Sequence, residues 1–217
     1  MPLTKERIVR TAMRLLNDVG VEGLTLRALA KELDVQAPAL YWHFKSKRDL
    51  LDELATTIMR DMWGTFVPSD DLRWDAWVTE SARRLRSGLL AYRDGAKVFA
   101  GTYVTDDSLF AAMEDTLRRL TRAGFTLRDA VQGYSTVYSY TIGFTIEEQG
   151  VTLEPGGEPD ERYDLDRRDQ RIDRERYPLA LAAGKEVFGT SRDERFAYGL
   201  ELIVFGLRRK LDADPIA

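Results

Sequence analysis

Gln36, Ala37, Ala39, Tyr41 and His43 fall within one short stretch and bring an amide, two methyl groups, a phenol and an imidazole to a common outer surface. That mixture suits hydrogen bonds to base edges and phosphate oxygens in a nucleic-acid groove. Covalent chemistry is poorly supplied by comparison. The 217 residues include no cysteine and one histidine, which removes disulfides, thiol nucleophiles, cysteine-ligated zinc and most histidine-based metal sites. The 36 acidic residues offer acid–base pairs by number alone. None stands beside a nucleophile, a phosphate-binding loop or a metal-ligand spacing, so neither catalysis nor a resident metal or cofactor is expected.

The elements that must position this surface are two short helices around a tight turn. Thr25 is an N-cap, and Leu26, Leu29, Ala30 and Leu33 follow at helical spacing, facing inward while Arg27, Lys31 and Glu32 face water. Asp34-Val35 breaks the run. Pro38 sits in the first turn of the next helix, where a missing N–H costs little, and Leu40 and Phe44 form its buried side. Ser46-Lys47-Arg48-Asp49 then reads as a capping box opening a third helix. The arrangement is a helix-turn-helix. Upstream, a bracing helix from Thr4 is striped by Ile8, Ala12, Leu15, Leu16 and Val19 and stopped by Gly20.

Beyond Ser46 every pattern is helical. Leu50, Leu54, Ile58, Met62 and Phe66 mark a long helix ending near Pro68, and a second stripe runs from Trp74 to Tyr92. A short turn follows, bounded by Gly95 and Gly101, and Asp106 to Arg122 is amphipathic. Thr126 to Asp129 is another capping box. From Ala130 to Ile146 no residue is charged, so this helix must be covered nearly all round. Residues 150–177, with Pro155-Gly156-Gly157 and then alternating acids and arginines, read as a flexible loop. A short helix from Pro178 to Ala183 is expected, and after Ser191 the final helix carries Phe196, Leu200, Ile203, Val204, Leu207 and Leu211, with Phe205 off the stripe on a second apolar face. Pairing the uncharged and final helices with their copies in a second subunit would cover both as a four-helix interface, and a twofold dimer presents two readers to a palindrome.

The apolar content of 44% is enough for a sizeable core, no signal peptide is visible and no apolar run is long enough to span a bilayer, so a cytoplasmic protein without membrane contact is expected. The net charge of −4 is unevenly spread. Residues 1–50 carry nine bases and six acids, net +3, so the remainder carries −7. A basic reader joined to an acidic body confines phosphate attraction to one end.

Leu16-Asn17-Asp18-Val19-Gly20, Gly23-Leu24-Thr25, Leu29-Ala30 and above all Leu40-Tyr41-Trp42-His43-Phe44-Lys45-Ser46-Lys47-Arg48 resemble the DNA-binding domain of the tetracycline repressor (TetR) family. Leu89 to Val98 and Gly124 to Asp129 are similar to the body of that family, so the likeness covers most of the chain outside 150–190. It implies an all-α protein: a three-helix helix-turn-helix domain over 1–46, a connecting helix over 47–67, and an effector-binding and dimerisation domain over 68–217. It also implies a ligand-responsive repressor, a homodimer on a palindromic double-stranded operator. The alternative is an all-α ligand-binding or dimeric interaction protein without DNA binding, which the intact Thr25 to Arg48 stretch opposes. By matched position Arg27 contacts base or phosphate, Gln36, Ala37, Pro38 and Ala39 open the recognition helix, and Thr25, Tyr41, His43 and Lys47 clamp phosphates. Ala37 stands where the tetracycline-binding members have glutamine, so a base contact is lost and a different operator sequence is expected.

The effector positions depart further. The histidine of the connecting helix, the asparagine and phenylalanine of the next helix and the magnesium-binding histidine of the tetracycline-binding members fall at Trp63, Ser81, Leu85 and Phe99, and Phe99 cannot ligate a cation. Thr102 and Glu147 match site positions, Glu147 at one serving the metal's water shell. With Thr116 as a further polar candidate, Trp63, Phe99, Tyr103, Tyr134 and Tyr138 describe a bulky aromatic pocket. The expected effector is small, planar, largely apolar and bound without magnesium.

Overall fold

The computed structural model describes residues 3–64, 72–102, 106–152 and 163–212, and these form eleven helices. α1 (Lys5–Gly23) is capped by the Thr4 hydroxyl, which accepts the Arg7 N–H at 3.2 Å. Gly20, at φ 70°, breaks its helical path near the expected stop. α2 (Leu26–Glu32) starts on Thr25, whose hydroxyl accepts the Ala28 N–H at 3.0 Å. Asp34 takes a left-handed conformation at φ 54° and turns the chain into α3 (Ala37–Tyr41). The box opening α4 (Lys47–Gly64) is made as expected: Ser46 Oγ accepts the Asp49 N–H at 3.1 Å while the Asp49 carboxylate reaches back to the Lys45 N–H at 3.0 Å.

The body consists of α5 (Trp74–Leu90), α6 (Gly95–Phe99), α7 (Ser108–Arg122), α8 (Leu127–Gly150), α9 (Leu165–Asp169), α10 (Pro178–Phe188) and α11 (Arg192–Asp212). Two expectations need correction. The stretch 150–177 is not loop throughout: the Asp164 carboxylate accepts the Arg167 N–H at 2.9 Å and starts α9. The helix from Pro178 continues past Ala183 to Phe188. The expected extension of α4 to Phe66 falls on residues outside those described.

Two apolar clusters fill the interior. Ile8, Leu16, Leu29, Leu40, Leu54 and Ile58 form the centre of the first, which runs on without interruption into the body through Leu89, Val98, Phe99 and Ile142. Packing therefore crosses the boundary at 46. The second cluster, centred on Trp77, Val137, Phe196 and Leu200, joins α5, α8 and α11. At its edge the Arg86 guanidinium makes two hydrogen bonds of 2.7 Å with the Glu148 carboxylate and a 2.6 Å bond with Asp193, while lying over Phe196. Both Arg86 and Glu148 are largely withdrawn from water. Arg86→Met strands the Glu148 charge and is expected to cost about 3 kcal/mol of folding free energy, read as a lower urea midpoint.

α8 is not covered all round within one chain: Gln132, Thr136, Ser139 and Gly143 are exposed along one line. Beside it on α11 stands a second exposed stripe, Tyr198 (67%), Leu202 (57%) and Phe205 (59%), at spacings of four and three residues. α10 is nearly all exposed, Leu179 to 83%, with Gly184 its single buried residue. No described helix is long and apolar enough to cross a membrane.

Candidate functional site

The outer surface of the helix-turn-helix carries the residues expected there. Arg27, Gln36, Pro38, Tyr41 and His43 are exposed, while Ala37 and Ala39 are half-buried. Gln36 is the N-cap of α3 but makes no side-chain capping bond, so its amide is directed outward with both ends available. Thr25 accepts from Ala28 and keeps its own hydroxyl proton to donate. Trp42, at 90% exposed, is a further member that its apolar character concealed: it is the C-cap residue of α3, where the helix stops before it can turn the indole inward. The adjacent Tyr41 and His43 were its positional signal.

Lys47, expected to clamp phosphate, is half-buried and anchored within the domain. Its ammonium donates to the carbonyls of Val21 at 2.6 Å and Glu22 at 3.5 Å, groups near the end of α1. Two of its three protons are thus engaged inside the domain, and its orientation is set by the fold.

The reader is fastened to the body at the turn before α6. Asp94, held left-handed at φ 55°, accepts the Val21 N–H at 3.0 Å, and the Arg93 N–H donates to Asn17 Oδ1 at 2.9 Å. A Cβ on Gly20 would approach Asp94 Oδ2 to 2.7 Å, so this contact requires glycine. Burial alone would raise the Asp94 carboxyl, but the Val21 N–H and the Lys97 ammonium outweigh it and hold the group below its ordinary value. Its stabilising contribution is therefore complete above about pH 4 and lost as pH falls through the lowered value. Gln149 on α8 completes the joint, donating to the carbonyls of Leu89 and Tyr92 and accepting the Ala96 N–H at 3.0 Å. At the far end of α6, Arg48 donates to the Gly101 carbonyl at 3.3 Å.

Against this joint lies a cavity of about 290 Å³. It brings together six expected residues: Ser81 and Leu85 of α5, Phe99, Thr116, and Tyr134 and Tyr138 of α8. Phe99 and Tyr138 have ring centroids 6.0 Å apart. Burial pushes the Tyr134 hydroxyl up to about 12, so it stays a neutral hydrogen-bonding group, paired with Thr116. The Ser81 hydroxyl is buried with no hydrogen-bond partner among the described residues. Met59 and Met62 of α4, Ala112 and Met113 of α7, and Ser135 of α8 also line this wall, beyond the residues expected there. Met59 and Met62, flexible thioethers one helical turn apart, were the available signal.

Two expected residues are elsewhere. Thr102 turns its hydroxyl back onto the Phe99 carbonyl at 2.8 Å, closing the end of α6 instead of facing the cavity. Glu147 is exposed on α8 and does not line the cavity, because its neighbours Thr145 and Glu148 take the inward positions. The Trp63 side chain and Tyr103 lie outside the described residues. The described lining contains no carboxylate or imidazole, so it does not fit a divalent cation.

Residues 8–54 match the family described as bacterial regulatory proteins, tetR family, and residues 67–211 match the tetracyclin repressor-like C-terminal domain. The class A tetracycline repressor from transposon 1721 of Escherichia coli is 39% identical over 210 residues, spanning 96% of this chain and 92% of its own. A possible TetR family transcriptional regulator from Streptomyces coelicolor A3(2) superimposes with a TM-score of 0.82 at 36% identity, covering 95% of this chain and 99% of that one. The class A repressor in complex with 5a,6-anhydrotetracycline and magnesium superimposes with a TM-score of 0.69 at 36% identity, covering 95% and 99%.

Proposed function

The chain belongs to the tetracycline repressor family of ligand-responsive, DNA-binding transcriptional regulators, and we propose from that premise that it represses from a palindromic operator and is released by a small, largely apolar effector. The observation that carries the reading is a continuous path from cavity to reader: Met59 and Met62 of α4 and Phe99 of α6 line the cavity, and the same two helices hold the helix-turn-helix. A molecule bonded to Ser81 and pressing on Phe99 displaces the turn from 99 to 102, and with it Arg48 at the start of α4. The two readers then leave the spacing of about one DNA turn that adjacent major grooves demand.

Dimerisation follows from the exposed stripes. Tyr198, Leu202 and Phe205 of α11 beside the small residues of α8 form a face that pairs with its own copy. The effector has a planar apolar body and one neutral polar group that answers the Ser81 hydroxyl, and it needs no magnesium. The protein is not an enzyme, and it acts in the cytoplasm where its operator lies.

Selection of bound sequences from random DNA, followed by a release screen against small aromatic molecules, tests this directly. An effector that binds only with magnesium, or a selection that enriches no palindrome, would contradict it. Within that assay Arg27→Ala is expected to weaken operator binding by about ten- to a hundred-fold and relax base preference. Lys47→Ala should weaken all sequences alike and also lower the melting temperature, since it frees the Val21 carbonyl.

A further inference from the structure

We infer that the chain carries a second small-molecule site, for an organic carboxylate with an apolar body, in a cavity at the base of the α9–α10 arm. This cavity, of about 650 Å³, lies between the end of α8, α9, the end of α10 and the first turn of α11, and shares no lining residue with the cavity beside α6. Its walls divide by chemistry. Leu165, Val187 and Phe188 give it an apolar side, and Arg167, Arg192 and Arg195 give it a cationic one. Asp164 is the one carboxylate among the described lining residues, and it already accepts the Arg167 N–H as the cap of α9.

The start of α11 supplies two of these cations. Arg192 is the first residue of a 21-residue helix, where the positive end of the dipole disfavours a cation. Neither acid of the same turn is ion-paired with it. Asp193 is bonded to Arg86 at 2.6 Å, and Glu194 accepts the Ser191 N–H and O–H at 3.0 and 2.8 Å. No carboxylate among the described residues pairs with Arg192 or Arg195. Arg195 reaches only the Val187 carbonyl, at 3.5 Å, and the ring of Phe144, 6.0 Å from its centroid. Guanidinium groups bind carboxylates through paired N–H donors, and the Phe188 side accepts a flat hydrocarbon. A carboxylate held there ties the arm to α11, the helix that carries the exposed dimerisation stripe.

Isothermal titration of the full chain with 2-naphthoate tests the assignment. The expected result is saturable binding of one molecule per chain, with 2-naphthamide weaker by at least about ten-fold. Arg192→Ala should weaken 2-naphthoate by a similar factor with an unchanged circular dichroism spectrum, and Arg192→Lys should restore part of it. Should Arg192→Ala fail to fold, Arg195→Gln carries the same comparison. Ala112→Trp, which fills the other cavity, should leave the affinity unaltered. The assignment is overturned by amide binding as tight as acid, by inorganic phosphate competing equally, by a loss confined to Ala112→Trp, or by no binding at millimolar concentration.

Discussion

The double variant Leu202→Asp, Phe205→Asp is expected to be monomeric at micromolar concentration and to bind the operator about 10² to 10⁴ times more weakly than the parent chain. Both side chains stand outward on α11, at 57% and 59% exposure, so neither substitution opens a hole in the fold of one chain. Within a twofold interface each would bury a carboxylate against its own symmetry mate, and like charges meeting across the axis repel where water is excluded. The loss in DNA affinity then has a separate origin. Once the first reader of a dimer is seated, the second meets its half-site at millimolar effective concentration, and a monomer forfeits that advantage with every DNA-contacting residue intact. Size-exclusion chromatography with light scattering and a gel shift read the two effects independently. A persistent dimer would remove α11 from the interface, and a monomer with undiminished affinity would remove the need for two readers.

Ala112→Trp is expected to abolish release by the effector, lowering effector affinity by about a hundred-fold or more, while operator affinity stays within a few-fold of the parent. Ala112 lies on the α7 wall, opposite the α4 and α5 residues that meet the reader's core, so the indole occupies the space of the ligand. The outcome separates two accounts of the switch. If filling the cavity is itself sufficient to displace Phe99, the variant behaves as permanently induced and fails to bind DNA. If release requires a bond to the Ser81 hydroxyl, which an indole on α7 does not supply, the variant stays permanently repressing. Fluorescence anisotropy on labelled operator, with and without effector, distinguishes them. Binding and release both unaffected would show that the effector enters elsewhere.

What was readable from the amino acids alone divides by the range of the interaction. The caps at Thr4, Thr25, Ser46, Thr126 and Ser191 involve partners three or four residues away, and each forms as the local pattern dictates. α9 is also local, but its Asp164 cap lies in a run of alternating charges with no apolar stripe, so periodicity had nothing to detect. The cavity depends on contacts between distant segments. Ser81, Leu85 and Phe99 were reached through resemblance, whereas Ala112 and Ser135 carry no chemical mark of their own and enter the wall only because α7 and α8 pack as they do. Lys47 illustrates the converse. Its charge suggested DNA, and only the three-dimensional path of α1 places two backbone carbonyls within its reach.

The uninterrupted apolar cluster from Leu40 through Leu54 to Leu89 and Phe99 makes reader and effector wall parts of one folding unit. Opening either end exposes surface belonging to both, so local melting of the helix-turn-helix without loss of the cavity is disfavoured. An effector at a hundred times its dissociation constant therefore adds about 2.7 kcal/mol to the stability of the DNA reader as well as the body. The released reader is better folded than that of the chain free of both effector and DNA. The liberated repressor is accordingly expected to resist proteolysis better with effector than without it, a difference that limited digestion reads directly.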